Sequence, residues 1–147
     1  MAAPAPPESS IIHASCVARD GTGLLIRGPS GSGKSALALQ LMALGAGLVA
    51  DDRVVLTTGP SGLIADAPAA IRGLIEARGL GLLRADPCGP VHVAWLLDLE
   101  NVETERLPPE RETMLLGHPV PLLFRADTLH FPAALYQLLA KGRRGDT

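Results

Sequence analysis

An eight-residue stretch near the N-terminus carries the residue types that bind phosphate. Its glycines, lysine and last serine fit the pattern Gly-x-x-x-x-Gly-Lys-Ser. In such a loop the glycines adopt backbone angles closed to other residues, so that successive N–H groups point inward at a phosphate. The lysine reaches the terminal phosphates of a nucleotide, and the serine hydroxyl ligates Mg²⁺. The predicted loop consists of Gly28, Pro29, Ser30, Gly31, Ser32, Gly33, Lys34 and Ser35.

The segments around this stretch have the composition that a phosphate loop requires. Residues 24–28 are apolar enough for a strand, and residues 34–44 are rich in the helix formers Ala, Leu, Gln and Met. A helix that starts at the lysine also adds its positive dipole end to the site. A Gly/Ser-rich loop that contains a lysine by chance is the alternative, and this strand–loop–helix order argues against it.

Two adjacent carboxylates, Asp51 and Asp52, follow the next apolar segment. A right-handed crossover makes that segment parallel to strand 24–28, so both end at the same edge of the sheet. Two carboxylates facing a polyanion repel it unless Mg²⁺ intervenes or one of them handles a proton. Side chains alternate along a strand, so the pair need not share a role, and a general base beside the terminal phosphate suits hydroxyl phosphorylation. Solvated carboxylates at a strand end are the alternative.

The remaining patterns predict an α/β fold with a mixed β-sheet flanked by few helices. Residues 69–83 contain three glycines and are predicted to be mostly loop. Residues 1–10 are predicted to be a disordered tail, 11–141 the catalytic domain and 142–147 a flexible tail. Strands are predicted over 11–18, 24–28, 48–58, 63–68, 91–100 and 120–124, and helices over 34–44 and 131–141.

Composition narrows the class of protein. The 147 residues are 47% hydrophobic, which suits one packed domain, and the net charge of −2 argues against a nucleic-acid or acidic-membrane partner. The first ten residues lack a basic residue and an apolar run, and the apolar segment 36–50 is short for a membrane span. Cys16 and Cys88 have no metal-site spacing and are interpreted as small hydrophobic residues. We therefore expect a cytoplasmic protein.

Several segments, in order, resemble the catalytic domain of the HPr kinase/phosphorylase family. They are IIHAS, GPSGSGKS, LVADDRVVL, LIEARGLGLL and LLDLENVETERL, and the resemblance extends over residues 11–124. The loop alone is generic, whereas the segment Glu76–Gly81 is much more specific. The resemblance implies a P-loop fold related to phosphoenolpyruvate carboxykinase, and a Mg²⁺- and ATP-dependent kinase. Its expected partner is HPr, the small phosphocarrier protein of the phosphotransferase system, which the family phosphorylates on a serine.

The resemblance also implies roles for individual residues. Lys34 and the loop glycines hold ATP, and Ser35 and Glu76 hold Mg²⁺. Asp52 removes the proton from the acceptor serine, which makes it the general base.

Two further residues gain a role only through the family pattern. Arg106 is expected to stabilise the negative charge on the phosphoryl group during transfer, and His13 is expected to assist near the active centre. Without the resemblance, His13 is interpreted as a half-buried histidine and Arg106 as a surface cation.

The chain departs from the family pattern in two ways. It resembles a short form that comprises only the C-terminal P-loop catalytic domain, whereas common members are about twice as long. Residues 120–135 show no equivalent of the Pro/Gly/Arg stretch tied to the reverse reaction, so the kinase reaction is expected and the phosphorylase reaction is in doubt. The family forms hexamers, so a homo-oligomer is possible.

Two other functions remain open at this point. A small-molecule P-loop kinase needs a lid, for which residues 100–115 are the candidate. A non-catalytic nucleotide-sensing regulator needs the loop but no base, and the presence of Lys34, Asp52 and Glu76 argues against it.

Overall fold

In the computed structural model, which describes residues 8–144, nine strands form one mixed sheet and two more form a separate hairpin. The main sheet has the order β1-β5-β6-β9-β3-β2-β4, and β11 pairs with β9 and carries β10 at its far side. The elements are β1 Ser9–Ile12, β2 Ala14–Arg19, β3 Thr22–Arg27, α1 Lys34–Leu44, β4 Gly47–Ala50, β5 Val54–Gly59, β6 Gly62–Asp66, β7 Leu74–Ala77, β8 Gly81–Arg84, β9 Val91–Val102, β10 Glu112–Leu115, β11 His118–Arg125 and α2 Phe131–Lys141, with a 3₁₀ turn over Ala69–Ile71.

The strand directions bring four strand ends to one edge of the sheet. Strand β2 is antiparallel to both β3 and β4, so β3 and β4 run in the same direction with β2 between them. Strand β9 is parallel to β3 on one side and to β11 on the other. The carboxyl ends of β4, β3, β9 and β11 therefore lie in that order along one edge, which is where open α/β sheets bind ligands.

Aliphatic side chains fill both faces of the sheet. Leu24 and Ile26 of β3 face the helices, where they join Leu41 of α1 and Leu135 of α2 in one buried cluster. Leu25, between them, belongs to the other cluster, on the opposite face. This alternation is the two-residue period of a strand. The phosphate loop therefore connects a strand that is buried on both faces to a helix that packs against it.

The structure confirms the mixed α/β architecture and corrects several predicted elements. The loop prediction for residues 69–83 was wrong, because a 3₁₀ turn and the β7–β8 hairpin occupy this range. Gly79, with φ of 90°, lies in the turn of that hairpin, so its backbone freedom serves a reversal of the chain. Strand β10 was not predicted, and β4 ends at Ala50, before the two aspartates.

The ends of the chain also differ from the prediction. The predicted strand over 11–18 is two strands separated at His13, and the first begins at Ser9 and pairs with β5, although Ser9 and Ser10 were assigned to the tail. Residues 1–7 and 145–147 of the predicted tails lie outside the described residues. Within residues 8–144, no helix is both long and apolar enough to cross a membrane.

Candidate active site

The phosphate loop connects β3 to α1 and contains two glycines at positions where a side chain would not be tolerated. A Cβ atom at Gly28 would lie 2.5 Å from the Ser32 hydroxyl oxygen and 3.1 Å from the Cβ of Leu99. Gly33, which precedes α1, has φ of 98°, a conformation that L-residues rarely adopt. Both glycines are therefore required by the path of the loop, as the sequence pattern predicts.

Lys34 lies in this loop as a buried cation. Its Nζ donates hydrogen bonds to the carbonyl oxygens of Gly28 at 2.8 Å and Pro29 at 3.1 Å, and the residue is only 7% exposed. Within residues 8–144, no carboxylate lies within 4 Å of this ammonium group. A buried charge without a counter-ion is costly, so the loop is built to receive an anion. The Ser32 hydroxyl, also buried and without a hydrogen-bond partner in this part of the chain, adds a second polar group for it. The residues present thus fit the phosphates of a nucleotide.

Asp51 is a buried carboxylate that joins three segments of the chain. Its Oδ1 accepts hydrogen bonds from the hydroxyls of Ser15 on β2, at 2.8 Å, and Ser35 on α1, at 2.7 Å. Its Oδ2 accepts from the backbone N–H of Glu76 on β7, at 3.0 Å. A carboxylate and a hydroxyl next to a phosphate loop are oxygen ligands of the kind that Mg²⁺ prefers. Sequence reasoning assigned no specific role to Asp51, and the available signal was that successive side chains in an extended segment point in opposite directions.

Asp52 lies at the centre of a tight turn that points its side chain outward. The N–H of Arg53 donates to the carbonyl of Asp51 at 2.8 Å, which closes a three-residue γ-turn, and Asp52 has φ of 67°. The turn is held on both sides, because Ala14 N–H donates to the Asp52 carbonyl and the Asp52 N–H donates to the Ser15 hydroxyl. Strained backbone of this type concentrates at functional sites.

His13, at the break between β1 and β2, meets the Asp52 side chain. The distance from His13 Nε2 to Asp52 Oδ1 is 2.7 Å. The side chains are 49% and 64% exposed, respectively, so the pair is accessible from solvent. The structure therefore brings together Asp52, which the resemblance implied as the general base, and His13, which it implied would assist near the active centre.

Glu76 lies at this site through its backbone. Its N–H bonds Asp51, while the residue is exposed and its carboxylate has no partner among residues 8–144. In the same part of the chain no three His, Cys, Asp or Glu side chains converge on one metal position. A Mg²⁺ ion here would depend on few protein ligands and complete its shell with phosphate oxygens and water, as is usual for this ion.

Arg106 is the predicted site residue that the structure does not bring to the loop. It lies in the connection between β9 and β10 and lines a separate cavity of about 720 Å³ with β11 and α2. The connection is fixed by an ion pair between Glu103 and Arg111, and the Arg111 guanidinium stacks on Phe124 at 4.5 Å. Within the described range, Arg106 makes no hydrogen bond or ion pair.

Sequence reasoning missed the residues on the other side of the loop. Asp98, at the end of β9, is buried and accepts hydrogen bonds from the Glu100 N–H and the Asn101 amide, both at 2.9 Å. It also pairs with Arg27, which immediately precedes the loop, at 3.7 Å. Asp98 within the otherwise apolar run VAWLLDL was the available signal, because a buried Asp needs a structural or chemical reason.

A glycine-rich loop between a central strand and a helix, with an acidic strand end beside it, defines a P-loop protein. A family model described as the HPr Serine kinase C-terminal domain matches residues 6–88, which include the loop, both aspartates and Glu76 but not Arg106. The chain belongs to this family.

Individual relatives agree with this assignment. HPr kinase/phosphorylase of Bordetella pertussis is 53% identical over 64 residues, which are 43% of this chain and 21% of the relative. The protein of the same name from an Exiguobacterium species is 38% identical over 116 residues, covering 70% of this chain and 37% of the relative. The chain thus spans well under half the length of these curated relatives.

A solved structure extends the likeness to nearly the whole fold. The Hpr(Ser) kinase/phosphatase from Coxiella burnetii superposes with a TM-score of 0.74 at 26% identity, and the match covers 89% of this chain and 88% of that one. The resemblance stated from the sequence and the predicted fold class are both confirmed.

Proposed function

We propose that this chain is a Mg²⁺- and ATP-dependent serine kinase whose acceptor is an HPr-like phosphocarrier protein. The observation that carries the proposal is the buried Lys34 ammonium without a carboxylate partner, placed in a loop that adjoins the Asp51–Ser35 pair. Family membership supports the acceptor, since the relatives are named for HPr.

Each residue of the site has a defined task in this proposal. The loop N–H groups and Lys34 bind the phosphates, and Lys34 exchanges its two carbonyl partners for phosphate oxygens. Ser35 and Asp51, with Glu76 near them, hold the metal ion. Bound Mg-ATP supplies the phosphoryl group. The residues of the chain position the acceptor serine and accept its proton.

Asp52 takes the proton of the acceptor serine. Its Oδ1 is occupied by His13 Nε2, whereas within residues 8–144 no hydrogen bond reaches Oδ2, which is free to accept. His13 orients the carboxylate through that contact and so acts as a positioning residue.

The exposure of the base favours a protein acceptor over a small molecule. Small-molecule kinases enclose their substrate, but the Asp52 side chain is 64% exposed. The candidate lid, residues 100–115, is held against β11 and not over the phosphate loop. Arg111 of this segment pairs with Glu103 and stacks on Phe124 of β11. A small-molecule kinase and a non-catalytic nucleotide sensor are therefore the weaker alternatives.

The test is transfer of labelled phosphate from ATP to a purified HPr-type carrier. We expect label on the carrier serine, and a loss of about 10²- to 10⁴-fold in kcat for Asp52→Asn with ATP affinity kept, which is the usual contribution of a general base. Asp20→Asn is the matched control, because Asp20 is also exposed and also has positive φ, at 50°, but lies in the β2–β3 turn. Label in small molecules alone would refute the protein acceptor, and wild-type kcat in Asp52→Asn would remove Asp52 as the base.

Two parts of the proposal need their own measurements. A role for Arg106 in transfer requires the β9–β10 connection to move toward the loop, so unchanged kcat in Arg106→Ala would exclude it. We propose that the forward reaction dominates, and incubation of the serine-phosphorylated carrier with excess inorganic phosphate measures the reverse one. Light scattering on the purified chain measures whether it forms a homo-oligomer.

A further inference from the structure

Arg27 is the last residue of β3 and immediately precedes the phosphate loop, and we propose that it is a second cation for the phosphoryl group that is transferred. It contacts the terminal phosphate of the bound donor and stays on that group during transfer, together with Lys34. The inference rests on the proposed function and deepens it, because it adds a substrate-binding residue that neither the loop pattern nor the family resemblance assigned.

Strand pairing places Arg27 in the same row of the sheet as the proposed base. Its register partner in β2 is Ala14, and the Ala14 N–H donates to the Asp52 carbonyl at 3.2 Å. Neighbouring strands lie about 4.8 Å apart, so the backbones of Arg27 and Asp52 are separated by about 10 Å. A phosphoryl group held between the loop and Asp52 is therefore within reach of an arginine side chain that starts from this row.

Arg27 and Lys34 approach this edge from opposite faces of the sheet. Leu25, two residues before Arg27, belongs to the buried cluster on the face away from the helices, as does Ala14. Because side chains alternate along a strand, the Arg27 side chain leaves β3 on that face. Lys34 comes from α1 on the other face and donates to the carbonyl of Gly28, the residue that follows Arg27. The two cations thus flank the start of the phosphate loop.

The contact between Arg27 and Asp98 leaves the guanidinium donors uncommitted. Nη2 of Arg27 lies 3.7 Å from Asp98 Oδ2, which is beyond hydrogen-bond distance, and the Arg27 side chain is 40% exposed. In the part of the chain that the structure describes, the guanidinium makes no hydrogen bond. Asp98 is satisfied without it, because its oxygens accept from the Glu100 N–H and the Asn101 amide.

An arginine that serves the fold is bound differently in this chain. Arg72 donates two hydrogen bonds to Asp66, at 2.8 and 3.2 Å, and a third to the Ala67 carbonyl. The Asp98 carboxylate holds Arg27 at the loop only by charge, so the planar fork of five N–H donors is available for phosphate oxygens. A phosphate that arrives at the loop can therefore bind the guanidinium with the loss of only one loose contact.

The task of Arg27 is to stabilise charge at the phosphorus that changes partner. In the transfer, the acceptor serine oxygen bonds the terminal phosphorus, the bond from that phosphorus to the bridging oxygen breaks with its electron pair left on ADP, and Asp52 takes the serine proton. Lys34 and Arg27 then share the negative charge of the transferring group. Arg106 lines a separate cavity, so this assignment requires no movement of the β9–β10 connection.

Calorimetric titration of the whole chain in Mg²⁺, with ADP and with the non-hydrolysable β,γ-imido analogue of ATP, tests the inference without a carrier. We expect Arg27→Ala to weaken binding of the analogue at least about tenfold, as for the loss of a hydrogen bond to a charged group, and to change ADP affinity less than about threefold. Arg27→Lys keeps the charge without the fork and should recover part of the loss. Arg19→Ala is the matched control, because it removes the same charge at the opposite end of β2, and it should change neither affinity.

Transfer of labelled phosphate to the HPr-type carrier gives the second readout. Arg27→Ala should lower kcat about 10²-fold or more, with little change in the KM for the carrier, because the contact is made to the transferring group and not to the carrier. An unchanged kcat beside weakened analogue binding would overturn the role of Arg27 in transfer.

The two readouts separate this inference from the proposed function. Equal weakening of ADP and the analogue in Arg27→Ala, or weakening of neither, overturns the contact to the terminal phosphate. A loss confined to the analogue supports that contact even when no carrier is phosphorylated, in which case the proposed acceptor alone fails. Thermal unfolding shows that each variant is folded, and Arg27→Gln, which keeps a long polar side chain, replaces Arg27→Ala if the alanine variant does not fold.

Discussion

Replacement of Asp51 by alanine should destabilise the protein far more than replacement of its neighbour Asp52 by asparagine. The substitution removes the acceptor of three hydrogen bonds, and two of the donors have little access to water: the hydroxyl of Ser15, a residue that is 0% exposed, and the Glu76 N–H, whose bond to Asp51 is partly buried. A hydrogen bond to a charged group contributes about 1.5 kcal/mol at the lower end, so two stranded donors cost about 3 kcal/mol. The Ser35 hydroxyl lies at the loop and can turn to water.

Urea denaturation at pH 7 measures this change as the free energy of unfolding. For a domain of this size, about 3 kcal/mol corresponds to a fall in Tm of about 6 to 12 °C. Asp52→Asn is the control and should stay within about 0.5 kcal/mol of the wild type, because its side-chain contact with His13 is exposed. Asp51→Asn keeps groups that can bond all three donors and should lose less than half as much.

A clear result would refute the reasoning. If Asp51→Ala unfolds within about 1 kcal/mol of the wild type while Asp52→Asn behaves as expected, Asp51 does not hold the β7–β8 hairpin and β2 to the loop. The role of Asp51 would then be limited to holding the proposed metal ion.

Two further predictions concern the phosphate loop and the loss of folding stability at acid pH. Gly33→Ala should cost about 1 to 2 kcal/mol through its φ of 98° and weaken ATP binding, whereas Gly117→Ala, with φ of 78° in the β10–β11 turn, should cost as much and leave binding unchanged, as denaturation and calorimetry would show. The hydrogen bond from Arg72 lowers the pKa of Asp66, so this carboxylate stabilises the fold above its unfolded pKa, and the contribution is lost as the pH falls through the lower folded value. Asp66→Asn should therefore flatten the loss of stability below about pH 4 in urea denaturation, with less than about 1 kcal/mol change at pH 7.

Each of the two has an outcome that contradicts it. Loss of ATP binding in Gly117→Ala would mean that general destabilisation, not the loop, explains Gly33→Ala. An Asp66→Asn variant with the same acid profile as the wild type would show that the pair with Arg72 persists in the unfolded chain or does not form in solution.

The sequence predicted the centre of the site well because local rules determine it. The phosphate loop needs particular glycines at a fixed spacing, and a strand–helix–strand crossover makes β4 parallel to β3, so the aspartates that follow β4 reach the same sheet edge as the loop. The contact between Ser35 and Asp51 at 2.7 Å confirms that placement. The sequence also indicated that Asp51 and Asp52 need not share a role, and the structure places Asp51 buried and Asp52 exposed, in a turn that follows β4.

Other parts of the fold depend on pairings that the local pattern does not encode. The β7–β8 hairpin was missed because glycines that punctuate a turn look the same as glycines that break regular structure. The break at His13 exists because β1 pairs with β5 while β2 pairs with β3 and β4, and partners so distant in sequence leave no periodic signal. The expected role of Arg106 came from family resemblance alone, and the Glu103–Arg111 pair that fixes its connection is not revealed by spacing.

The single carboxylate at position 51 links residues that lie 36, 16 and 25 positions away from it along the chain. Contacts between residues so distant in sequence form only once the intervening segments have folded, because loop-closure entropy opposes them in the unfolded chain. A nascent chain that has emerged only as far as residue 60 carries every residue of the glycine-rich motif but lacks the hairpin that completes the cluster. The capacity to retain a nucleotide should therefore arise late in synthesis, as a property of the finished domain and not of the motif.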